Sequence, residues 1–260
     1  MKKTQIALAI SLMVSGSAFA NTFVNGGFEA GDLSGWTGGG GSWGGSPPAP
    51  VAALTYNGGS PNNYTMVAPG TDPYTGLSTV YSGNYSARLN DNNNNYSVST
   101  LRQTVTNYTD NNIYFAWNAV LQSSHSLTNS DYFSLTLTDD TAHTTLVDRA
   151  YSSAGSIGAG TTGVTWTGYP TGPYGTTVYS AGWVVENIDT SGILGHDFTL
   201  TMLASDCPYG GHWGYAYLDG FGAAPPQPGP QPGTVPEPET LALMGLGLLG
   251  LGAARRQKRT

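Results

Sequence analysis

Tyr132-Phe133-Ser134-Leu135-Thr136-Leu137-Thr138 alternates apolar and hydroxyl-bearing residues almost one for one. In an extended chain successive side chains point to opposite faces. Phe133, Leu135 and Leu137 therefore share one face and Ser134, Thr136 and Thr138 the other, the pattern of a half-buried strand. Outward from this stretch, β-branched and aromatic runs recur between Gly, Asn and Pro clusters at 51–56, 97–106, 113–121, 177–185, 197–203 and 214–221. Strands at this spacing, with turn residues between them, predict an all-β fold, a sandwich or jelly roll. Residues 38–45 and 155–175 are Gly-rich and read as loops, and Asp91-Asn92-Asn93-Asn94-Asn95 reads as a loop tip.

The two ends of the chain follow different rules. Lys2 and Lys3 precede an apolar run over 6–14 and then Ala18-Phe19-Ala20. This order of charged, apolar and small residues is that of a signal peptide over 1–20, recognised at Ala18 and Ala20 and cut after Ala20 by signal peptidase. The run is too short for a membrane anchor, which needs about 20 apolar residues. A body over 21–223 follows, then a Pro-rich linker over 224–234. The tail over 235–260 holds Val235-Pro236-Glu237-Pro238, an apolar helix over 241–254, and Arg255, Arg256, Lys258 and Arg259. That helix would be roughly 21 Å long against a hydrocarbon core of about 30 Å. It is a marginal transmembrane span that depends on its basic flank, which the positive-inside rule keeps cytoplasmic. Gly245, Gly247 and Gly250 spell the dinucleotide-binding spacing, but no strand precedes them, so that reading is rejected.

Charge excludes one class of partner. Of the nine Lys and Arg in the chain only Arg88, Arg102 and Arg149 lie in the body, against fourteen of the sixteen carboxylates. Affinity for phosphate backbones comes chiefly from Lys and Arg, so no nucleic acid is expected. Cys207 is the single cysteine, which rules out an internal disulfide and reads as a plain loop thiol.

The tail resembles the PEP-CTERM sorting signal of Gram-negative bacteria: the Pro-Glu-Pro motif, a short Gly/Leu helix and a terminal Arg cluster stand in that order. The resemblance implies an exosortase-type membrane protease that cuts at the motif, a transient stay in the inner membrane, and a final place outside the cell or at its surface. A second resemblance rests on Asn25-Gly26-Gly27-Phe28-Glu29 with Leu33-Ser34-Gly35-Trp36, on Ser82-Gly83-Asn84-Tyr85-Ser86-Ala87-Arg88-Leu89, and on Tyr217-Leu218-Asp219-Gly220-Phe221. These are similar to the opening, an early and the closing strand of galactose-binding-like jelly rolls found in carbohydrate-binding modules. In that family a Glu after the first strand and an Asp in the last commonly hold a structural Ca²⁺, which implies Glu29 and Asp219 as metal ligands here. Oxygen donors suit Ca²⁺.

Nothing in the body spells a catalytic site, and no enzyme is expected. Ser156 lies in a near match to the nucleophile elbow but in a Gly-rich loop. Glu29 or Asp219 with Glu186 could supply two carboxylates, though with fourteen present some pair always exists. His125, His143, His196 and His212 lack H-x-x-x-H spacing and read as loop or surface residues. For sugar contact, Trp43 and Trp166, in Gly-rich loops, are the candidate glycan platforms, while Trp117 and Trp183 sit in strand patterns and read as buried. The expectation is a non-enzymatic surface or biofilm-matrix protein that contacts extracellular polysaccharide. A lectin-like module with a defined sugar site and a secreted hydrolase are the alternatives.

Overall fold

The computed structural model describes residues 23–42, 63–126, 129–154 and 164–229. Twelve strands form among them: β1 (Thr37–Ser42), β2 (Tyr64–Val67), β3 (Ser86–Leu89), β4 (Ser97–Val105), β5 (Asn112–Gln122), β6 (Tyr132–Asp139), β7 (Thr144–Ser152), β8 (Thr167–Tyr169), β9 (Val178–Ser180), β10 (Val184–Asp189), β11 (Phe198–Ser205) and β12 (Gly214–Gly222). One sheet runs β1-β4-β11-β6-β7. The other runs β2-β3-β12-β5-β9-β8, with β10 also paired to β5. All pairings are antiparallel, and the chain crosses between the sheets repeatedly, as a jelly-roll sandwich requires.

The alternation in β6 decides the packing. Phe133, Leu135 and Leu137 are fully buried beside Leu200 and Met202 of β11 and Leu101 of β4. Across from them the second sheet offers Ile113, Phe115, Trp117, Ala119 and Leu121 of β5 with Ala216 and Leu218 of β12. Trp117 stacks on Phe133 with ring centroids 4.9 Å apart. A buried side chain of this size contributes about 1.5–3 kcal/mol relative to exposure, so this inter-sheet layer is the main source of stability.

Several local expectations are corrected. The Gly-rich run at 38–45 is not wholly a loop, because β1 pairs with β4 from Thr37↔Arg102 to Ser42↔Ser97. A side chain at Gly38 would collide with the Tyr64 ring, and one at Gly39 with the Thr100 hydroxyl, so close neighbours rather than turn chemistry account for these two glycines. Strand β7 has no clean alternation and was not expected; it pairs along the whole of β6 as an edge strand. The expected strand over 177–185 breaks at 181–183, and β8 lies within the presumed loop 155–175. Residues 25–29, expected as an opening strand, are a chain of turns held by the bonds Phe28 N–H to Asn25 C=O and Phe221 N–H to Gly26 C=O, at 3.1 and 3.0 Å. The run at 51–56 lies outside the described residues.

Candidate functional site

Strand β12 has two apolar faces. Ala216 and Leu218 point into the core, whereas Tyr215 and Tyr217 join a separate outer cluster with Trp213, Val120 and Val178. Aromatic residues facing away from a core need a cover, and the loop over 68–83 supplies it. Asp72, 1% exposed, fastens that loop. Its Oδ1 accepts from the N–H groups of Tyr74 and Thr75 and from the Thr75 hydroxyl, and its Oδ2 accepts from the Tyr215 and Tyr217 hydroxyls at 2.6 and 2.8 Å. Burial first, and then the Asp72 charge, push both phenols far above their ordinary range.

The rings form a connected series across this face. Tyr74 lies 4.6 Å from Trp213, Trp213 5.4 Å from Tyr215, Tyr215 5.7 Å from Tyr217, Tyr217 6.1 Å from Trp183 and Trp183 5.6 Å from Tyr81. The outer members Tyr74, Tyr81 and Trp183 are half-buried and held in place. Trp183 donates its indole N–H to the Ser78 carbonyl at 2.8 Å, and the Tyr74 hydroxyl accepts from Asn92 at 3.0 Å. Beneath them the Arg88 guanidinium stands 5.6 Å over Tyr215. Fixed, partly exposed rings with polar groups between them are what a sugar-contacting surface needs.

Asp219 follows Tyr215 and Tyr217 on the same face, where the β12–β5 register shifts between Asp219 and Gly222. Its Oδ2 accepts from the N–H groups of Tyr81 and Ser82, both at 2.9 Å, while its Oδ1 is buried with no hydrogen-bond partner. Glu29 takes the next part of the same turn, accepting from the N–H groups of Asn84 and Tyr85. A Cβ at Gly83 would enter the Glu29 carboxylate. Burial pushes the Asp219 carboxyl up to about 7; the Ser82 and Tyr81 N–H groups oppose this, and the Glu29 charge adds to it. Two carboxylates gripping residues 81–85, one with a free buried oxygen, fit the oxygen-donor chemistry of Ca²⁺.

Other residues singled out in the sequence fall elsewhere. Glu186 receives a bidentate clasp from Arg149, both bonds 2.8 Å, and the Trp117 indole N–H at 3.1 Å. It therefore ties β10 to β7 and does not meet Glu29 or Asp219. Trp166 is half-buried against the main core, its ring at an edge-to-face angle to Tyr151 with centroids 5.0 Å apart, and it stands apart from the outer ring series. Trp183 is only partly buried, not interior, and belongs to the candidate surface. His196 pairs with Asp139 at 2.8 Å. Cys207 is a loop thiol, as expected, but a fully buried one, and His125 and His212, sequence-distant from each other, meet edge-to-face beside it with ring centroids 4.4 Å apart. Burial first, then His125, holds the His212 ring below the usual histidine range.

The outer cluster was legible only in part. Tyr215 and Tyr217 opposite Ala216 and Leu218 signal a strand covered on both faces, but nothing local in Tyr74 or Trp183 says which loop does the covering. Trp43, Ala18, Ala20, Val235, Pro236, Glu237, Pro238, Arg255, Arg256, Lys258, Arg259, Ser156 and the helix over 241–254 lie outside the described residues. Among the described residues no helix is long and apolar enough to cross a membrane.

Residues 234–257 match the family described as the PEP-CTERM protein-sorting motif, which marks an exported protein processed at the membrane by exosortase. No curated protein matches the chain in sequence. Among solved structures the chain is similar to the carbohydrate-binding module TmCBM61 in complex with β-1,4-galactotriose, at 12% identity over 78% of this chain and 97% of that one, TM-score 0.39. It is also similar to the CBM22-1 xylan-binding domain of Paenibacillus barcinonensis Xyn10C, at 14% identity over 78% and 93%, TM-score 0.32. The K2 cleaved adhesin domain of Lys-gingipain matches at 14% identity over 80% and 98%, TM-score 0.34. With scores this low, the sandwich assignment rests on the two sheets themselves.

Proposed function

We propose that this chain is a non-enzymatic surface or extracellular-matrix protein of a Gram-negative bacterium, whose sandwich adheres to polysaccharide through the outer face of β12. Signal peptidase would remove residues 1–20. The tail would hold the protein in the inner membrane until an exosortase-type protease acts at Val235-Pro236-Glu237-Pro238. The observation that carries the adhesive reading is the ring series ending in the half-buried Tyr74, Tyr81 and Trp183. A body with three cations and fourteen carboxylates favours neutral over acidic glycans. Glu29 and Asp219 would hold a structural Ca²⁺ that pins the turn at 81–85, and with it Tyr81, to the last strand.

A hydrolase is the competing class, but Glu186, the carboxylate the sequence offered as a partner for Glu29 or Asp219, is clasped by Arg149 instead. Affinity electrophoresis through gels loaded with the producer's own exopolysaccharide tests the reading. The exported protein should be retarded, and Trp183→Ala or Tyr81→Ala should weaken retention about tenfold, the ~1.4 kcal/mol of one lost ring contact. Circular dichroism melts confirm that each variant remains folded. Equal migration with and without polysaccharide, or a steady release of reducing ends that one carboxylate substitution stops, would overturn it.

A further inference from the structure

His125, Cys207 and His212 stand 82 and 87 residues apart, counted from His125, yet their ligand atoms all lie within 4.8 Å of one another. The topology brings this about. His125 is on the loop joining β5 to β6, and Cys207 and His212 are on the loop joining β11 to β12. Since β12 neighbours β5 in one sheet and β11 neighbours β6 in the other, both loops close the same end of the sandwich. Each loop is braced by its own hydrogen bonds. Cys207 N–H donates to the His212 carbonyl and Gly210 N–H to the Cys207 carbonyl, both at 3.0 Å, so Cys207 and His212 sit across a tight turn. The other loop is closed by the Ser124 hydroxyl on the Asn129 carbonyl at 2.8 Å and joined to the first by Gln122 N–H on the Trp213 carbonyl at 3.1 Å.

Three features of this end lack an explanation in packing alone. The Nδ1 of His212 is buried with no hydrogen-bond partner, although a buried polar nitrogen left unmatched is costly. Asp131, fully buried and close enough for its charge to act on Cys207, has an Oδ2 that is likewise unmatched. The Cys207 thiol points its S–H at the Asn129 side-chain oxygen, 2.8 Å away, instead of into apolar surroundings. A cation held among these groups would satisfy the histidine lone pair and stand close to the buried Asp131 carboxyl.

We propose that His125, Cys207 and His212 are three ligands of a transition-metal site of the Zn²⁺ class, with the fourth position open to water. Two imidazoles and a thiolate form a borderline-soft donor set that suits Zn²⁺ and does not suit Ca²⁺ or Mg²⁺. Metal–sulfur and metal–nitrogen bonds of about 2.3 and 2.0–2.1 Å in a tetrahedron place donor atoms roughly 3.3–3.6 Å apart. The present spread, at most 4.8 Å, is within about 1.5 Å of that, and all three ligands sit on loops rather than in the sheets, with His125 exposed. On binding, the Cys207 S–H bond breaks, sulfur takes the metal, and one proton leaves to solvent. Asn129, which accepts that proton's hydrogen bond before binding, can turn its amide to donate to the thiolate afterwards.

Titration of the reduced, metal-free exported protein with Co²⁺ alone tests this. One Co²⁺ per chain should bind, with an intense thiolate-to-cobalt charge-transfer absorption in the near ultraviolet and the visible bands of a tetrahedral ion, and Zn²⁺ should displace it. His125→Ala leaves the sandwich untouched because His125 is exposed, and it should weaken Co²⁺ binding at least about tenfold. Cys207→Ser should remove the charge-transfer band. Should that buried substitution fail to fold, His125→Ala and His212→Ala decide the question by themselves. Absence of the charge-transfer band in the unaltered protein, or Co²⁺ affinity unchanged in both histidine variants, overturns the proposal.

Discussion

The two ends of strand β12 present opposite donor chemistries. Next to Asp219 the acceptors are carboxylate oxygens: Glu29, and Asp219 with its free Oδ1, both held by N–H groups of the turn at 81–85. Just before Gly214 they are nitrogen and sulfur: His125, Cys207 and His212. Roughly 20 Å of strand separates them, and the outward tyrosines between them are fastened by Asp72. Hard oxygen sites and soft thiolate–imidazole sites select different ions by donor type. If both proposed sites hold their ions, one strand would be pinned at both ends by different metals that do not compete.

The largest expected effect comes from breaking the middle. Asp72→Ala leaves two buried tyrosine hydroxyls and two N–H groups of the covering loop without their acceptor. At about 1–3 kcal/mol for each unsatisfied buried group, a loss of about 3 kcal/mol or more is expected, read as a lower urea midpoint with unchanged slope. Because the loop at 68–83 leads into the turn that Asp219 and Glu29 grip, the Ca²⁺ response should weaken as well, whereas Co²⁺ binding at the other end should persist. Loss of both together would show that the ends are not independent.

A smaller effect follows from pH. Burial raises the carboxyls of Asp131 to about 8 and of Asp206 and Asp219 to about 7, above an unfolded value of 3.8. The folded state then binds these protons more tightly than the unfolded chain. Their stabilising contribution is complete below about pH 4 and is lost as pH rises to about 7–8. In chelator the melting temperature should therefore fall steadily between about pH 5 and pH 8. On the proposal that Ca²⁺ is held by the ionised Asp219, added Ca²⁺ should flatten only that residue's share of the slope. A melting temperature that rises over the same range in chelator would contradict the assignment of these buried acids.

The same strand shows what sequence can disclose. The alternation of Phe133, Leu135 and Leu137 made the sandwich legible, because period two is a local property of the backbone. Glu29 and Asp219, singled out through the motifs that carry the jelly-roll resemblance, do meet on one turn, at residues 81–85. The His125, Cys207 and His212 cluster could not be singled out, since its donors share no spacing and meet only through the neighbour relations of two sheets. Strand β1 was hidden for a different reason: Gly38 and Gly39 answer to Tyr64 and Thr100, which pack against them from elsewhere in the sequence. Trp166, in a Gly-rich stretch, gave no sign that it would sit half-buried against Tyr151, because that contact depends on the unanticipated β7.

Thermal melts of the exported protein in chelator, in Ca²⁺, in Zn²⁺ and in both ions test the two-site account most directly. Each ion at a hundredfold excess over its Kd should add about 2.7 kcal/mol, and the two increments should sum because sites this far apart couple weakly. Asp219→Asn should abolish the Ca²⁺ increment and leave that of Zn²⁺, and His125→Ala should do the reverse. A single increment shared by the two ions, or one substitution that erases both, would contradict it.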